Sequence, residues 1–410
     1  MAHSPQGCFQ LVEAAFGWQN ADYTETMTLC TKLCEDEIVH GGEELLARTI
    51  LQARELAAPL VFVLPACGPE IVGDDIDAVC EDLAGQVDFR LVPVRCAGFR
   101  GDQNRGTDIV LEAIVERLIG PSNGAAHHPR SVCLVAPQAN ANPTWMGDLH
   151  WVEEVLAALG ATDTVTLCHD TALEDLERIP QMEGCLVLSH DAGQECAELL
   201  AERYGLAQWC RYLPLPIGLA NTARWIEEVG ERLGCPDRAR LMVAQGERMV
   251  VERCRRKGIE QAGLHRAPAA IVADATVGLP LVRMLAEDLE MIPALVCLRS
   301  GQPLALSLLQ RELAELDLQP QVITGADVFQ AKKALEAVGA EIILGSNIER
   351  HAVCEVDGPF VIQVASPIAR SRLVDRAYWG YDGLLNLLEI IQNDRLERYR
   401  SRRRRYAARW

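Results

Sequence analysis

The sequence predicts an α/β protein of three Rossmann-like domains, each built on a parallel sheet of four to five strands. Three observations carry that prediction. Short apolar runs rich in Val, Leu and Ile recur along the chain without alternating, as strands covered on both faces do. Helix-period segments separate many of these runs. The length of 410 residues exceeds what one core supports, since single cores stop growing near ~250–300 residues.

The runs 60–64, 90–94, 131–136, 164–168, 185–189, 212–217, 269–273, 294–298, 321–324, 341–344 and 360–364 read as strands. Segments 9–18, 151–159, 195–204, 222–233, 237–256, 280–289, 304–316 and 328–338 read as helices. Right-handed crossovers then join successive parallel strands. Two stretches rich in turn residues divide the series: 120–130 (GPSNGAAHHPR) and 258–268 (GIEQAGLHRAP), each before a fresh strand. The expected domains are 1–128, 129–265 and 266–385, followed by a C-terminal helix and basic tail at 386–410.

The chain carries 58 acidic and 39 basic side chains, a formal charge of −19, and 15 cysteines. Residues 395–410 hold eight arginines and one glutamate, so this tail is +7 and the rest of the chain −26. An acidic body excludes nucleic acid as the main partner, because phosphate neutralisation needs a basic face. The run Arg402–Arg405 reads as a solvated tail. No apolar run reaches the ~18–20 residues that span a bilayer. Residues 1–8 show no basic region leading into an apolar one, so a cytoplasmic protein is expected. There the cysteines are not expected to pair, and their odd number leaves one over in any case. They are buried small hydrophobes or metal ligands.

In open α/β sheets, ligands sit beyond the carboxyl ends of the strands. The loop after run 60–64 is PACGPEIVGDD, residues 65–75. Cys67 there suits a thiolate bound to iron, because nearby backbone N–H groups stabilise the negative sulfur. The alternative is a buried free cysteine at a strand end. Asp74 and Asp75 read as a helix N-cap and a first-turn acid. At the N-terminus, HSPQGC (3–8) puts Cys8 near a helix start, where the dipole lowers a thiol pKa. Cys30 and Cys34 stand at i and i+4 and can share a helical face, a spacing that alone does not specify a metal site. The segment 92–101 (VPVRCAGFRG) resembles no phosphate loop. A G-x-x-x-x-G-K-[ST] run is absent, and no G-x-G-x-x-G follows a strand, so neither ATP hydrolysis nor a dinucleotide is expected of this chain. Paired C-x-x-C zinc motifs are also absent. His169, His190 and His351 lie past strand ends or at a helix start and read as structural or surface residues.

These loops resemble, in order and spacing, the catalytic-component subunits of nitrogenase and nitrogenase-like reductases. The resemblance lies in 3–8, 34–44 (CEDEIVHGGEE), 65–75 and 92–101. It continues through 213–220 (LPLPIGLA), 345–351 (GSNIERH), 359–367 (PFVIQVASP) and 379–388 (WGYDGLLNLL). Segments 213–220 and 379–388 are similar to the β subunit, and 92–101 to the α subunit. The resemblance implies a nitrogenase component 1-like fold of three Rossmann-like domains. It also implies electron transfer at large iron–sulfur clusters, with a separate ATP-hydrolysing iron protein as donor. An α-type partner subunit in a heterotetramer follows, with no nucleic-acid or membrane partner. Carried over, Cys8 and Cys67 fall on ligands of an electron-relay cluster, P-cluster-like or [4Fe–4S], shared at the subunit interface.

The departures from the family pattern are specific. The family's first relay cysteine falls upstream of Met1, so that ligand is missing from this sequence, and Cys30 or Cys34 is the candidate substitute. The cysteine that anchors the family's active-site cofactor falls on Ser189, its histidine partner near Arg370, and the β-subunit serine ligand on Gly98. None of these ligand types is present, so no nitrogenase-type cofactor is expected here. The resemblance therefore implies a β-type subunit of a nitrogenase-like two-component reductase, similar to methylthio-alkane reductase. It would be an oxidoreductase component that passes electrons, with no catalytic residue of its own to name. The alternatives are a nitrogenase cofactor-assembly scaffold subunit, a tetrapyrrole reductase subunit, a nitrogenase β subunit proper, and a cluster-free Rossmann-like binding protein.

Overall fold

A computed structural model describes residues 1–18, 27–121, 124, 126–135, 142–167, 169–257, 264–353, 359–368 and 373–407. The α/β class holds: the strands form three parallel sheets of three, four and five strands. By packing, the chain forms two compact units. The first is Met1–Gly124 with Ala172–Pro180 and Ala192–Tyr204, and the second is Ala125–Thr171, Gln181–Asp191 and Gly205–Trp410.

The first unit holds the smallest sheet. Strand β1 (Ala2–His3) is followed by helices α1 (Gln6–Trp18), α2 (Glu35–His40) and α3 (Glu43–Gln52). Strand β2 (Leu60–Pro65) leads into α4 (Cys67–Val72) and α5 (Ile76–Leu83), and β3 (Arg90–Pro93) into α6 (Gln103–Arg117). The order is β1-β2-β3. Along β2, Val61 and Val63 point into a core made with Leu46 and Ile50 of α3 and Ile76, Cys80 and Leu83 of α5. Three strands are fewer than expected. Residues 29–31 run beside β1 through a single bridge, Ala2 to Cys30, and do not extend into a fourth strand.

The second unit holds the two larger sheets. Strand β4 (His128–Val135) is followed by α7 (Trp145–Leu159), β5 (Asp163–Thr166), the short α8 (Leu173–Leu176), β6 (Met182–Val187), α9 (Gln194–Tyr204) and β7 (Ala207–Trp209). The strand order is β5-β4-β6-β7. Of these helices, α8 and α9 belong to the first unit. There, Gly193 N–H donates to the buried Asp108 of α6 at 2.6 Å. Burial raises the Asp108 pKa to about 6. The strand expected at 212–217 is not formed; β7 forms at Ala207–Trp209 instead. Pro214 and Pro216 remove two ladder donors, so that apolar stretch runs as a buried loop.

Two long helices, α10 (Leu219–Arg232) and α11 (Pro236–Lys257), precede the five-stranded sheet. Its elements are β8 (Pro268–Ala273), α12 (Ala275–Arg283), β9 (Ile292–Leu298), α13 (Pro303–Glu315), β10 (Gln321–Thr324), α14 (Val328–Val338), β11 (Ile342–Gly345), α15 (Asn347–Val353) and β12 (Phe360–Gln363), in the order β10-β9-β8-β11-β12. The helix expected at 280–289 starts earlier, at Ala275; Pro280 lies inside it and a π-helical turn, Met284–Asp288, follows. Proline reads as a first-turn residue in sequence, but the first turn is capped here by a side chain far away in the chain.

Helix α16 (Gly380–Ala407) closes the second unit. Its entry is fixed by Asp148, which accepts from Tyr378 N–H at 2.7 Å and Trp379 N–H at 2.9 Å. Asn142 and Thr144 also donate to Asp148, at 2.6 and 2.8 Å. Burial outweighs these four donors and raises the Asp148 pKa to about 6. The backbone stays helical through Ala407, so the arginine run expected as a tail continues α16.

Candidate functional site: a thiol-bearing sheet edge

In the first unit, the ends of β1, β2 and β3 lead into the loops that hold cysteine. Ala2 and His3 pair with Leu64 and Pro65, and Leu60–Val63 pairs with Arg90–Pro93. All three strands are parallel, so their carboxyl ends share one edge. Cys8 is the third residue of α1, Cys67 the first residue of α4, and Cys96 lies in the turn after β3. The thiols of Cys8 and Cys67 are both exposed, as a ligand to an external group must be. The alternative of a buried strand-end cysteine does not hold for Cys67.

Cys30 and Cys34 do not share a helical face. Cys30 sits in the extended stretch beside β1, where its thiol donates to Ser4 O at 3.3 Å and accepts Lys32 N–H at 3.4 Å. Cys34 caps the start of α2, its N–H donating to Glu37 at 2.9 Å, and its thiol is exposed. The i, i+4 pattern fails because Lys32 takes a left-handed backbone, φ 61°, which ends any helix there.

A buried polar latch fixes this edge. His3 Nε2 meets Asp74 Oδ2 at 2.9 Å, and His3 Nδ1 meets Thr31 Oγ1 at 3.2 Å. Asp74 Oδ1 accepts Gly42 N–H at 2.9 Å. Gly42 is required by close approach, since a Cβ there would lie 2.7 Å from Asp74 Oδ2 and 2.9 Å from His3 Cε1. The latch ties the start of the Cys8 loop to the end of the Cys67 loop. The N-cap of α5 is Asp75, not Asp74 as the sequence suggested, because Asp74 is turned inward as the histidine's partner. Both latch residues lie inside the motifs read from sequence; a His and an Asp 71 positions apart give no local signal.

Burial lowers the His3 pKa below its ordinary value, although Asp74 and Glu43 favour the charged ring. The unfolded chain therefore binds the proton more readily. The latch's stability is fully present above about pH 6.5 and declines as the pH falls below it. Thermal midpoints of the wild type are expected to drop more steeply on acidification than those of His3→Gln. Parallel pH profiles would remove that assignment.

The third side of the edge is the short turn Gly98–Arg100. A Cβ on Gly98 would stand 3.4 Å from Cys67 Sγ, so the turn lies directly against the thiol. Arg100 pairs with Glu70 of α4, whose side chain is buried. Burial raises the Cys96 thiol pKa, with the Glu70 charge adding to the effect. Cys96 is thus held as a neutral thiol while Cys67 faces solvent. Among the described residues, no group of three or more His, Cys, Asp or Glu side chains is arranged to hold a metal by itself. The exposed thiols of Cys8 and Cys67 are soft donors of the kind that fit part of a cluster site.

Exposed apolar side chains lie on the elements that carry or flank these thiols. Leu11 and Val12 follow Cys8 on α1, Val39 lies on α2, Ile71 and Val72 follow Cys67 on α4, and Phe99 lies in the turn after β3. Val39 and Ile71 are each 73% exposed.

The sequence model of the nitrogenase component 1 type oxidoreductases matches residues 1–395. The chain belongs to that family. Its relatives include the nitrogenase iron-molybdenum cofactor biosynthesis protein NifE of Nostoc sp. (strain PCC 7120), 25% identical over 228 residues, 55% of this chain and 45% of that protein. The nitrogenase molybdenum-iron protein alpha chain of Methanothermobacter marburgensis is 25% identical over 279 residues, 63% of this chain and 55% of that one. The match to NifE of Methanococcus maripaludis is longer, 22% identical over 404 residues, 95% of this chain and 78% of that protein. The chain spans about half the length of the first two relatives. The solved structure of nitrogenase Cp1 at pH 6.5 shares the fold, with a TM-score of 0.79 at 17% identity, over 97% of this chain and 88% of that one.

Within this component 1 type chain, the position read as the family's cofactor cysteine is Ser189, which is fully buried and meets Thr276 Oγ1 at 2.9 Å. The other cofactor position, Arg370, lies outside the described residues. The Ser189 hydroxyl also accepts Asp191 N–H at 3.0 Å. His190 is a core residue, accepting Leu215 N–H at 3.1 Å, and burial lowers its pKa to about 4. His169 packs edge-on against Trp145. Among the described residues, no helix is long and apolar enough to cross a membrane.

Proposed function

We propose that this chain is an electron-relay subunit of a nitrogenase-like two-component reductase. Cys8 and Cys67 contribute thiolates to an iron–sulfur cluster, P-cluster-like or [4Fe–4S], that a partner subunit completes. The observation that carries this reading is the exposed apolar rim on α1, α2, α4 and the 98–100 turn, the elements that carry or flank the exposed thiols of Cys8 and Cys67. Docking over that rim excludes water from the thiolates and brings in the missing ligands. The latch of His3, Asp74, Thr31 and Gly42 holds both cysteine loops in place while this happens. When bound, the cluster supplies one-electron redox chemistry tuned by its thiolates and their hydrogen bonds. The partner is an α-type subunit, and the electron donor an ATP-hydrolysing iron protein.

The relatives named above include an alpha chain, so the β-type assignment rests on 213–220 and 379–388. The closeness to methylthio-alkane reductase rests on resemblance in the same way. Three Rossmann-like domains, 1–128, 129–265 and 266–385, remain the proposed division. A second reading, a cofactor-assembly scaffold, is favoured by similarity to NifE over 95% of this chain. The two separate on one anoxic mixing experiment with the chain, its partner and the iron protein. A relay subunit shows cluster reduction by EPR only when MgATP is present. Absence of ATP-dependent reduction, with the cluster instead passing to a recipient protein, would replace the relay reading by the scaffold.

A further inference from the structure

The five-stranded sheet runs outward from β8 to β9 and β10, then returns to the other side of β8 with β11. Sheets of this kind bind ligands at that switch point, with anions at the N-terminus of the helix after the first strand. Here that helix is α12. Its first N–H groups already have an acceptor. Asp191, in the turn after β6, accepts Ala275 N–H on Oδ1 at 2.8 Å and Thr276 N–H on Oδ2 at 2.8 Å. Thr276 Oγ1 donates to Oδ2 at 2.5 Å, and the Ser300 hydroxyl donates to Oδ1. Four donors on two oxygens fill the acceptor capacity of a carboxylate. The neighbouring residues reinforce the contact. Asp191 N–H donates to Ser189 Oγ at 3.0 Å, and His190 N–H to Thr276 Oγ1 at 3.0 Å. Ser189, His190, Asp191, Thr276 and Ser300 are all buried.

We propose that the ligand crevice of the five-stranded sheet is filled from within. The Asp191 carboxylate occupies the anion position at the start of α12 and makes the 189–191 turn a joint between the two larger sheets. Neither a nucleotide nor a cofactor then binds at this switch point, and the position read as the family's cofactor cysteine has become part of the joint. This holds whether or not a cluster binds at Cys8 and Cys67, because the residues are separate.

The test is chemical rescue on the full chain. Asp191→Ala leaves two N–H groups and two hydroxyls facing a space the size of a carboxylate. Its thermal midpoint is expected to fall by roughly 10 °C. About 0.1 M formate, which binds only the folded state, should return at least half of the loss. Chloride at equal ionic strength should not. Asp191→Asn fills the space and is expected to lose less and to gain nothing from formate. An unchanged midpoint in Asp191→Ala, or rescue by chloride equal to that by formate, would overturn the proposal. If the alanine variant does not accumulate, the asparagine variant decides, and a midpoint equal to wild type overturns it.

Discussion

Replacing Cys67 with alanine is expected to remove the iron–sulfur cluster while leaving the fold in place. Cys67 is exposed at the first position of α4, and its side chain is not part of the core under the first sheet. The turn beside it has glycine at position 98, so losing the sulfur opens no buried cavity. Stability of the metal-free chain should therefore change by no more than about 0.5 kcal/mol, as for exposed substitutions in general. Cluster content behaves differently. A site that takes thiolates from Cys8 and Cys67 loses one of them, and iron and acid-labile sulfide are expected to fall at least tenfold. Cys8→Ala should act alike. Iron and sulfide analysis beside circular dichroism reads both outcomes. Full cluster content in Cys67→Ala would refute its role.

Glu312→Ala is expected to give a large loss of stability. Glu312 is almost completely buried on α13 and accepts from Arg283 Nε of α12 at 2.6 Å and from Arg224 Nη2 of α10 at 3.0 Å. Burial alone would raise its pKa, but the two guanidinium groups win and hold it below the usual range, so it is ionised at neutral pH. Removing it takes a buried carboxylate from two arginines, one of them only 11% exposed, and leaves them Glu287 and Glu315 as acidic partners. An uncompensated buried charge costs about 3–5 kcal/mol, and these remaining partners place the expected loss at about 2–3 kcal/mol. Trp225 and Trp379 are buried in the same unit and report its unfolding by fluorescence. The denaturant midpoint is expected to fall sharply for Glu312→Ala. Asp237→Ala, which breaks the exposed pair with Arg240, should leave it unmoved.

The fold class was legible because its signal is local. Unbroken Val, Leu and Ile runs marked most strands of the larger sheets, and β10, at Gln321–Thr324, lies where the periodicity put it. What failed was long-range or brief. Strand β1 is two residues and exists only because Leu64 and Pro65 pair with it. The 212–217 run had a strand's composition, but two prolines made it a loop. The start of α12 was misplaced because its cap, Asp191, stands more than 80 positions away. The site follows the same division. Cys8 and Cys67 were read from motif order and both are exposed, whereas the latch between His3 and Asp74 spans 71 positions and needed the fold. Exposure of Leu11, Val39, Ile71 and Phe99 was likewise invisible, since apolar residues in a helix read as core until their partners are known.

The central claim is that this component 1 type chain carries cluster thiolates on the carboxyl edge of its first sheet. Iron and acid-labile sulfide, measured on the wild-type chain purified without oxygen together with its co-expressed partner subunit, test it most directly. The account predicts both in matching amounts, lost together in the Cys8→Ala, Cys67→Ala double variant. A complex that forms and contains no iron, or a double variant with wild-type iron and sulfide, would contradict it.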